Sequence, residues 1–387
     1  MNTREQFLSL MSFEPGAKSF KWEFGYWAAV LRRWYGEGLP KVVGIPDGWE
    51  GGTGVRGEAT GWYARSREIY DEDVHNALGL DSPIRRMTFN NWLCPAFTPE
   101  LLEDHGDWTL SRDADGSTVR QMKSHDSLPD VVAFAVTNRD DWERVKAERL
   151  QPALAKRVPA DWQKLVAEYG TRDYPLAIGG AQGFFGTPRK LMGPEALLMS
   201  YYDQPELIHD MIDYLCDFWI ALYDQVLDQV DADLGLIWED MSFKAGPLIS
   251  PATFRAFMMT AYKKLTSFLR DRGVKHIWVD TDGDCWKLIP LLTEGGVTGI
   301  YPMEVRAGMN VLEVREAFPK LQIMGGIDKN AIAAGRAEID AELESKVPEM
   351  LKRGGFIPYV DHYVHPEIAW SDFVYYRRRL NEMIDRA

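Results

Sequence analysis

The stretch "HIWVDTDGDCW", residues 276 to 286, sets Asp280, Asp282 and Asp284 into five positions directly after the apolar run Ile277, Trp278, Val279. Asp280 and Asp282 are one residue apart, so both face the same way if the strand persists through 282. The same design recurs: Glu239 and Asp240, Glu304, Asp328, and Asp361 with His362 each follow a short apolar run. If these acids converge, their charge needs a metal ion, a proton or a positively charged substrate to offset it. Asp280, Asp282, His362 and Glu239 make an oxygen and imidazole ligand set of the kind zinc accepts while keeping a position open. The competing reading is structural: Asp282-Gly283-Asp284 is ordinary turn chemistry, and an acid after a strand often caps the next helix.

His362 stands beside Asp361 and is the histidine placed for chemistry. His365 belongs to the following loop, His276 lies early in its strand, and His75, His105, His125 and His209 have no chemical context. In "GGAQGFFGTPRKLMG" the glycines 179, 180, 183 and 186 precede Arg189 and Lys190. They match neither GxxxxGK[ST] nor GxGxxG, so no nucleotide cofactor is expected. A close-approach loop fits better, either with Gln182, Phe184 and Arg189 touching a small-molecule substrate or as a purely structural turn. In "KWEFGYWAAVLRRW" the near-helical spacing of Trp22, Tyr26, Trp27, Leu31 and Trp34 predicts either a helix packed by its aromatic face or, with Phe24, the wall of an apolar pocket. Signatures of serine hydrolases, HExxH zinc enzymes and zinc deaminases are absent.

The elements that must position these residues follow a regular beat. "YPLAIGG", "ADLGLIWED", "VKHIWVD", "VTGIYPM", "LQIMGGID" and "FIPYVDH" are short apolar runs, each followed by a helical segment, as βα units with parallel strands require. The segment 250 to 273 has Ser250 at its N-cap, Pro251 at N1 and Gly273 beyond its end. Polar residues at every strand's C-terminal end favour a (β/α)8 TIM-type barrel over a doubly wound sheet. "SFKWEF" is the candidate first strand, residues 40 to 130 are expected to hold loops and one or two more strands, and residues 1 to 387 are read as one elaborated barrel domain.

The 44 Lys and Arg against 58 Asp and Glu give a net charge of −14, which works against general binding to nucleic acid or an anionic membrane. No apolar stretch approaches a membrane span and the start lacks a secretory pattern, so a cytoplasmic protein is expected. Cys94, Cys216 and Cys285 form no CxxC, so any metal must rely on oxygen and imidazole.

The order of "GGAQGFFGTPRKLMG", "EDMSFKAGPLISPATFRAF", "VDTDGD", "GIYPMEVRAGMN", "GGIDK" and "GGFIPYVDHYVHP" resembles the strand-end motifs of the uroporphyrinogen decarboxylase superfamily from about residue 174 to the end. That resemblance implies a (β/α)8 barrel, a homodimer, and either cofactor-free decarboxylation or methyl exchange with a corrinoid protein. The decarboxylases carry an arginine-rich motif of the type PVWxMRQAGR, where this chain has "SFKWEFGYWAAVLRRW". In the thiol-methylating branch zinc is held by His-x-Cys and a later Cys; those positions here are Asp280, Asp282 and His362, a harder site. The expectation drawn is a methyltransferase that demethylates a small methoxylated or N-methylated compound, with a corrinoid protein as acceptor. Asp280, Asp282 and His362 would hold or replace zinc, Glu239 would be a fourth ligand or general acid, and Trp22, Phe24, Tyr26 and Trp27 would line the pocket. The alternative is a lyase that decarboxylates a smaller acid, with Arg189 or Arg306 on its carboxylate and Asp328 or His362 managing the proton.

Overall fold

A computed structural model describes residues 1–45, 63–64, 72–123, 130–180 and 182–387. Eight parallel strands pair in chain order: β1 Tyr63–Ala64, β2 Ile84–Arg86, β3 Leu176–Gly179, β4 Leu234–Trp238, β5 His276–Asp280, β6 Gly299–Met303, β7 Gln322–Gly325 and β8 Phe356–Ile357. The architecture is the TIM-type α/β barrel.

Because the strands are covered on both faces, their residues alternate between two apolar layers. In β5, Ile277 and Val279 join Leu269, Leu292 and the other helix-side residues, while Trp278 joins Leu236, Tyr301 and Met324 inside. The Trp278 indole donates to Gln322 Oε1 at 2.6 Å, so its polar edge is satisfied within the barrel. Helix Thr3–Met11 caps the N-terminal end, with Phe7 against Trp278 at 5.6 Å and edge-on to His276 at 5.8 Å. His276 is thereby structural, and burial pushes its imidazole down to about 4.

"SFKWEF" is extended, as a first strand should be, but its hydrogen bonds are partial. Val364 donates to the Gly25 carbonyl at 2.9 Å, Tyr26 and Val364 form a parallel bridge, and Asp81 donates to the Lys21 carbonyl at 3.1 Å. Residues 19–26 therefore span from the end of β8 to the chain entering β2. The segment is latched by the wholly buried Glu23–Arg377 pair: Glu23 Oε1 accepts from Val360 N at 2.9 Å and Phe24 N at 3.1 Å, and Arg377 reaches Oε2 at 3.3 Å. The helical spacing from Trp22 is thus only half realised, since the helix begins at Ala28 with Trp27 as N-cap.

Between β2 and β3 the chain forms a four-stranded antiparallel sheet, Glu100–Asp104, Trp108–Arg112, Thr118–Met122 and Asp130–Ala133, where loops and one or two barrel strands were expected. It returns to the barrel through Val136, which donates to the Leu191 carbonyl at 2.9 Å. Segment 250–273 is capped by Ser250 as read, but it is two helices, Pro251–Phe257 and Met259–Asp271. Among the described residues no helix is long and apolar enough to cross a membrane. His125 lies outside the described residues.

Candidate functional site

The ends of β4 and β5 stay joined past the last ladder residue. The Asp280 carbonyl accepts from both Glu239 N at 2.9 Å and Asp240 N at 3.2 Å, which turns Asp240 into the left-handed region at φ 46°. That kink sends the two neighbouring acids to different partners.

Glu239 is fully buried and its carboxyl is enclosed by donors. Phe184 N at 2.9 Å and the Tyr262 hydroxyl at 2.5 Å meet Oε1, while Phe185 N at 2.6 Å and Gly186 N at 2.9 Å meet Oε2. Burial pushes its pKa up and these donors pull it down. The place foreseen for a fourth ligand or general acid is therefore occupied by a group that pins the glycine loop to β4. Gly183 is needed for this approach, since a Cβ there would lie 2.2 Å from the Trp238 carbonyl oxygen. Asp240 instead pairs with the Arg189 guanidinium, which also donates to the Asp240 carbonyl at 2.7 Å.

Beyond β5, Thr281 is buried and takes Met241 N on its hydroxyl at 3.1 Å, while Asp280 and Asp282 on either side are half-buried. The period-2 alternation thus runs one step past the strand. Gly283, at φ 77°, packs so close to Ser242 that a Cβ would meet its carbonyl oxygen at 2.5 Å, and its N–H donates to Glu304 Oε2 at 2.9 Å. No donor among the described residues reaches the Asp280 carboxyl, and Asp282 Oδ1 is buried without a hydrogen-bond partner. Burial, then the neighbouring Asp282 and Asp240, hold Asp280 well above the usual carboxylate range.

His362 faces this pair, with Nε2 3.5 Å from Asp282 Oδ2. Its ring stacks on Phe24 at 5.3 Å and meets Tyr363 edge-on at 5.1 Å, and Trp27 extends the wall to Tyr363 at 5.3 Å. Asp361, just before it, points inward and ties two loops, accepting from Val305 N at 2.9 Å and Lys329 N at 3.3 Å. Its burial pushes the carboxyl up to about 6.

The remaining expected residues separate into two groups. Phe24, Trp27 and His362 gather at the mouth with Asp280 and Asp282. Trp22 is buried on Phe20 at 4.0 Å deep in the barrel, Tyr26 packs on Trp34 and Phe373, and Phe184 lies between Trp219 and Tyr262 of the outer helices, so these three do not form the wall foreseen for them. Gln182 is buried, with its carbonyl taking Trp238 N at 3.0 Å. Asp328 caps helix Lys329–Ala334 through Asn330 N at 2.8 Å and pairs with Arg306 at 3.1 Å. Both arginines foreseen for a substrate carboxylate are thus engaged by acids of the chain itself. Tyr359, not singled out from sequence, is wholly buried with its hydroxyl unpartnered, 5.9 Å ring to ring from Phe24, and burial, then the charges of Asp280 and Glu23, push its hydroxyl well above the usual tyrosine range. Its signal was the alternation in "PYVDH", which puts Tyr359 and Asp361 on one side of the chain.

Among the described residues no three His, Cys, Asp or Glu side chains form a ready ligand set for zinc: Asp282 Oδ2 and His362 Nε2 stand 3.5 Å apart, and Glu239 is taken up by its four donors.

Comparison with known proteins bears on the frame that carries these residues. No curated protein matches the sequence. Of solved structures, a methyltransferase from Methanosarcina mazei is similar over 100% of this chain and 99% of its own, with a TM-score of 0.59 at 13% identity, which is a likeness of fold. A putative vitamin-B12 independent methionine synthase from Listeria monocytogenes is similar over 56% of this chain and 64% of its own, with a TM-score of 0.28 at 12% identity. The family model for uroporphyrinogen decarboxylase (URO-D) matches residues 110–373, well over half of the chain and all of β3 to β8 with their rim loops. The chain belongs to the uroporphyrinogen decarboxylase (URO-D) family.

Proposed function

We propose that the chain is a methyltransferase that takes a methyl group from a small methoxylated or N-methylated compound and passes it to a corrinoid protein. The observation that carries this reading is the Asp280–Asp282 pair, which among the described residues has no neighbouring donor except His362, under the ring wall of Phe24, Trp27 and Tyr363. Such a mouth repels polycarboxylates and accepts a small, partly apolar group whose heteroatom bears positive charge or gains a proton. Decarboxylation of a smaller acid calls for a guanidinium on the substrate, and Arg189 and Arg306 are bound to Asp240 and Asp328.

A reduced corrinoid bound to a partner protein would supply the nucleophile. The chain's own residues orient and discharge the donor: the aromatic wall holds its apolar face and excludes water, and the carboxyl pair lies against its heteroatom. For a methoxy donor Asp280, raised by burial and its acidic neighbours, holds a proton for the leaving oxygen. His362, fixed by Phe24, keeps Asp282 in place.

The test is anaerobic incubation with free cob(I)alamin and a panel of methoxylated and N-methylated compounds, following the loss of cob(I)alamin absorbance. The expected result is donor-dependent loss that falls at least about 100-fold in Asp280→Asn and Asp282→Asn, the scale of removing one catalytic acid-base group. Release of CO2 from carboxylic acids without any corrinoid dependence would refute the reading in favour of a lyase.

A further inference from the structure

Arg86, which no spacing in the sequence singled out, is the last residue of β2. Strand alternation turns it into the barrel. Ile84 belongs to the inner layer and Arg86 pairs in register with the inner Ala177, whereas Arg85 lies outside on the Tyr174 ring at 4.0 Å and Met87 joins the helix-side layer. Round the rim from β2 to β5 the inward positions are Arg86, Gly179, Trp238 and Asp280, as the pairing of Gly179 with Leu236 and of Trp238 with Asp280 requires. A guanidinium and the acid pair therefore stand at opposite ends of one four-strand arc.

The chain builds a shelf for that guanidinium. Arg86 Nε donates to the Gly179 carbonyl at 3.1 Å. Gly180, at φ 109°, leaves the room the side chain takes: a Cβ there would lie 3.0 Å from Nε, 3.1 Å from Cζ and 3.3 Å from Nη2. Gly179, at φ 89°, is backed by the buried Tyr223 hydroxyl, which accepts from Asn91 Nδ2 at 3.3 Å. One edge of the guanidinium thus rests on two consecutive glycines and its plane is fixed. This gives the first two glycines of the loop a use that no nucleotide motif supplied. Arg86 is half-buried, so it is supported from below and open to the mouth.

An oriented guanidinium matches the planar geometry of a carboxylate, which it can meet with two parallel N–H bonds. Resting over the end of β3, it stands two strand spacings from β5, about 10 Å along the wall. That span suits a small flat acid with its carboxylate at Arg86 and its other end toward Asp280 and Asp282. A second carboxylate would fall against those acids, so one is the number the arc accepts. The carboxylate is then a handle remote from the groups that can pass on a proton, an arrangement that leaves it intact.

We infer, resting on the proposed methyl transfer, that the methyl donor carries a single carboxylate and that Arg86 is the specificity residue that holds it, with the methylated heteroatom lying toward β5.

The experiment is calorimetric titration of the whole chain with 4-methoxybenzoate and with 4-methoxybenzyl alcohol, which has nearly the same shape without the charge. The carboxylate is expected to bind at least tenfold more tightly, with the preference abolished in Arg86→Met and only partly kept in Arg86→Lys, which retains the charge but not the fork. Equal affinity in wild type, no binding of the carboxylate, or a preference that survives in Arg86→Met would each overturn the inference. Should Arg86→Met fail to fold, Arg86→Lys carries the test: carboxylate affinity equal to wild type would overturn it. Both compounds are then incubated with free cob(I)alamin. Methyl transfer without any carboxylate preference overturns the inference and leaves the proposed function intact. An Arg86-dependent preference with CO2 release, or with no methyl transfer from any compound, keeps the anion site and overturns the function.

Discussion

Replacing Arg377 by methionine tests the latch that holds the first extended segment in the barrel. Arg377 is wholly buried; besides Glu23 it donates to the Trp22 carbonyl at 2.9 Å and to Asn381 at 2.8 Å. Burial pushes the Glu23 carboxyl up and Arg377 pulls it down, so methionine leaves a buried acid with Phe24 N, Val360 N and the nearby Tyr376 hydroxyl but no cation. Breaking one partner of such a pair costs about 3–5 kcal/mol. Unfolding entropy scales with length, about 0.8 kcal/mol/K for 387 residues, so the expected fall in Tm is about 4–6 °C. Adding Glu23→Gln removes the stranded charge yet keeps Oε1 for both backbone donors. The double variant should therefore recover about 1–3 kcal/mol relative to the sum of the single losses. The assay is thermal unfolding of wild type, both singles and the double. A Tm shift under about 1 °C for Arg377→Met, or strict additivity in the cycle, would refute the reasoning.

Three further outcomes follow from the geometry. Asp361 has a folded value of about 6 against an ordinary 3.8, so the stability it contributes is full below about pH 4 and lost as pH rises through 6, about 3 kcal/mol in all; urea midpoints of Asp361→Asn across pH 4 to 7 should be correspondingly flatter than those of wild type. Tyr262→Phe removes one of four donors to Glu239 and should cost about 1.5–3 kcal/mol by denaturant titration, whereas Glu239→Ala leaves three buried N–H groups bare and should cost more and loosen the loop at 184–186. Gly183→Ala forces a Cβ to within 2.2 Å of the Trp238 carbonyl oxygen and should sharply reduce soluble folded protein, while Gly36→Ala, inside helix Ala28–Glu37 with open space around it, should be neutral or stabilise by up to about 1 kcal/mol.

The parallel core was legible because strands covered on both faces read as continuous apolar runs: "LGLIW", "HIWVD" and "QIMG" needed no alternation to be found. The sheet at 100–133 was not, since its strands mix Glu, Asp, Arg and Thr with few core residues. The turn at Asp113–Gly116, where Asp113 accepts from Asp115 and Ser117 and Gly116 sits at φ 84°, was its one clear sign. At the rim, position after a strand pointed to Asp280, Asp282 and His362, which lie at one mouth with His362 3.5 Å from Asp282, but could not divide the acids by partner. Glu239 and Asp240 are adjacent in sequence, and only the left-handed turn at Asp240 sends one into the helix layer and the other to Arg189. Likewise the aromatic stretch looked uniform, yet the change from strand to helix at Trp27 put Trp22 below, Tyr26 outside and Phe24 at the mouth.

The plug formed by Phe7, Phe20, Trp22, His276 and Trp278 closes the N-terminal end of the barrel and leaves the rim at the strands' C-terminal ends as its doorway among the described residues. If the donor sits inside and a bulky acceptor protein seats over the same opening, traffic must be sequential: the donor enters first, the acceptor docks and departs, and the demethylated product leaves last. Saturating acceptor would then slow turnover by blocking the exit, a kinetic signature that a barrel open at both ends would not give.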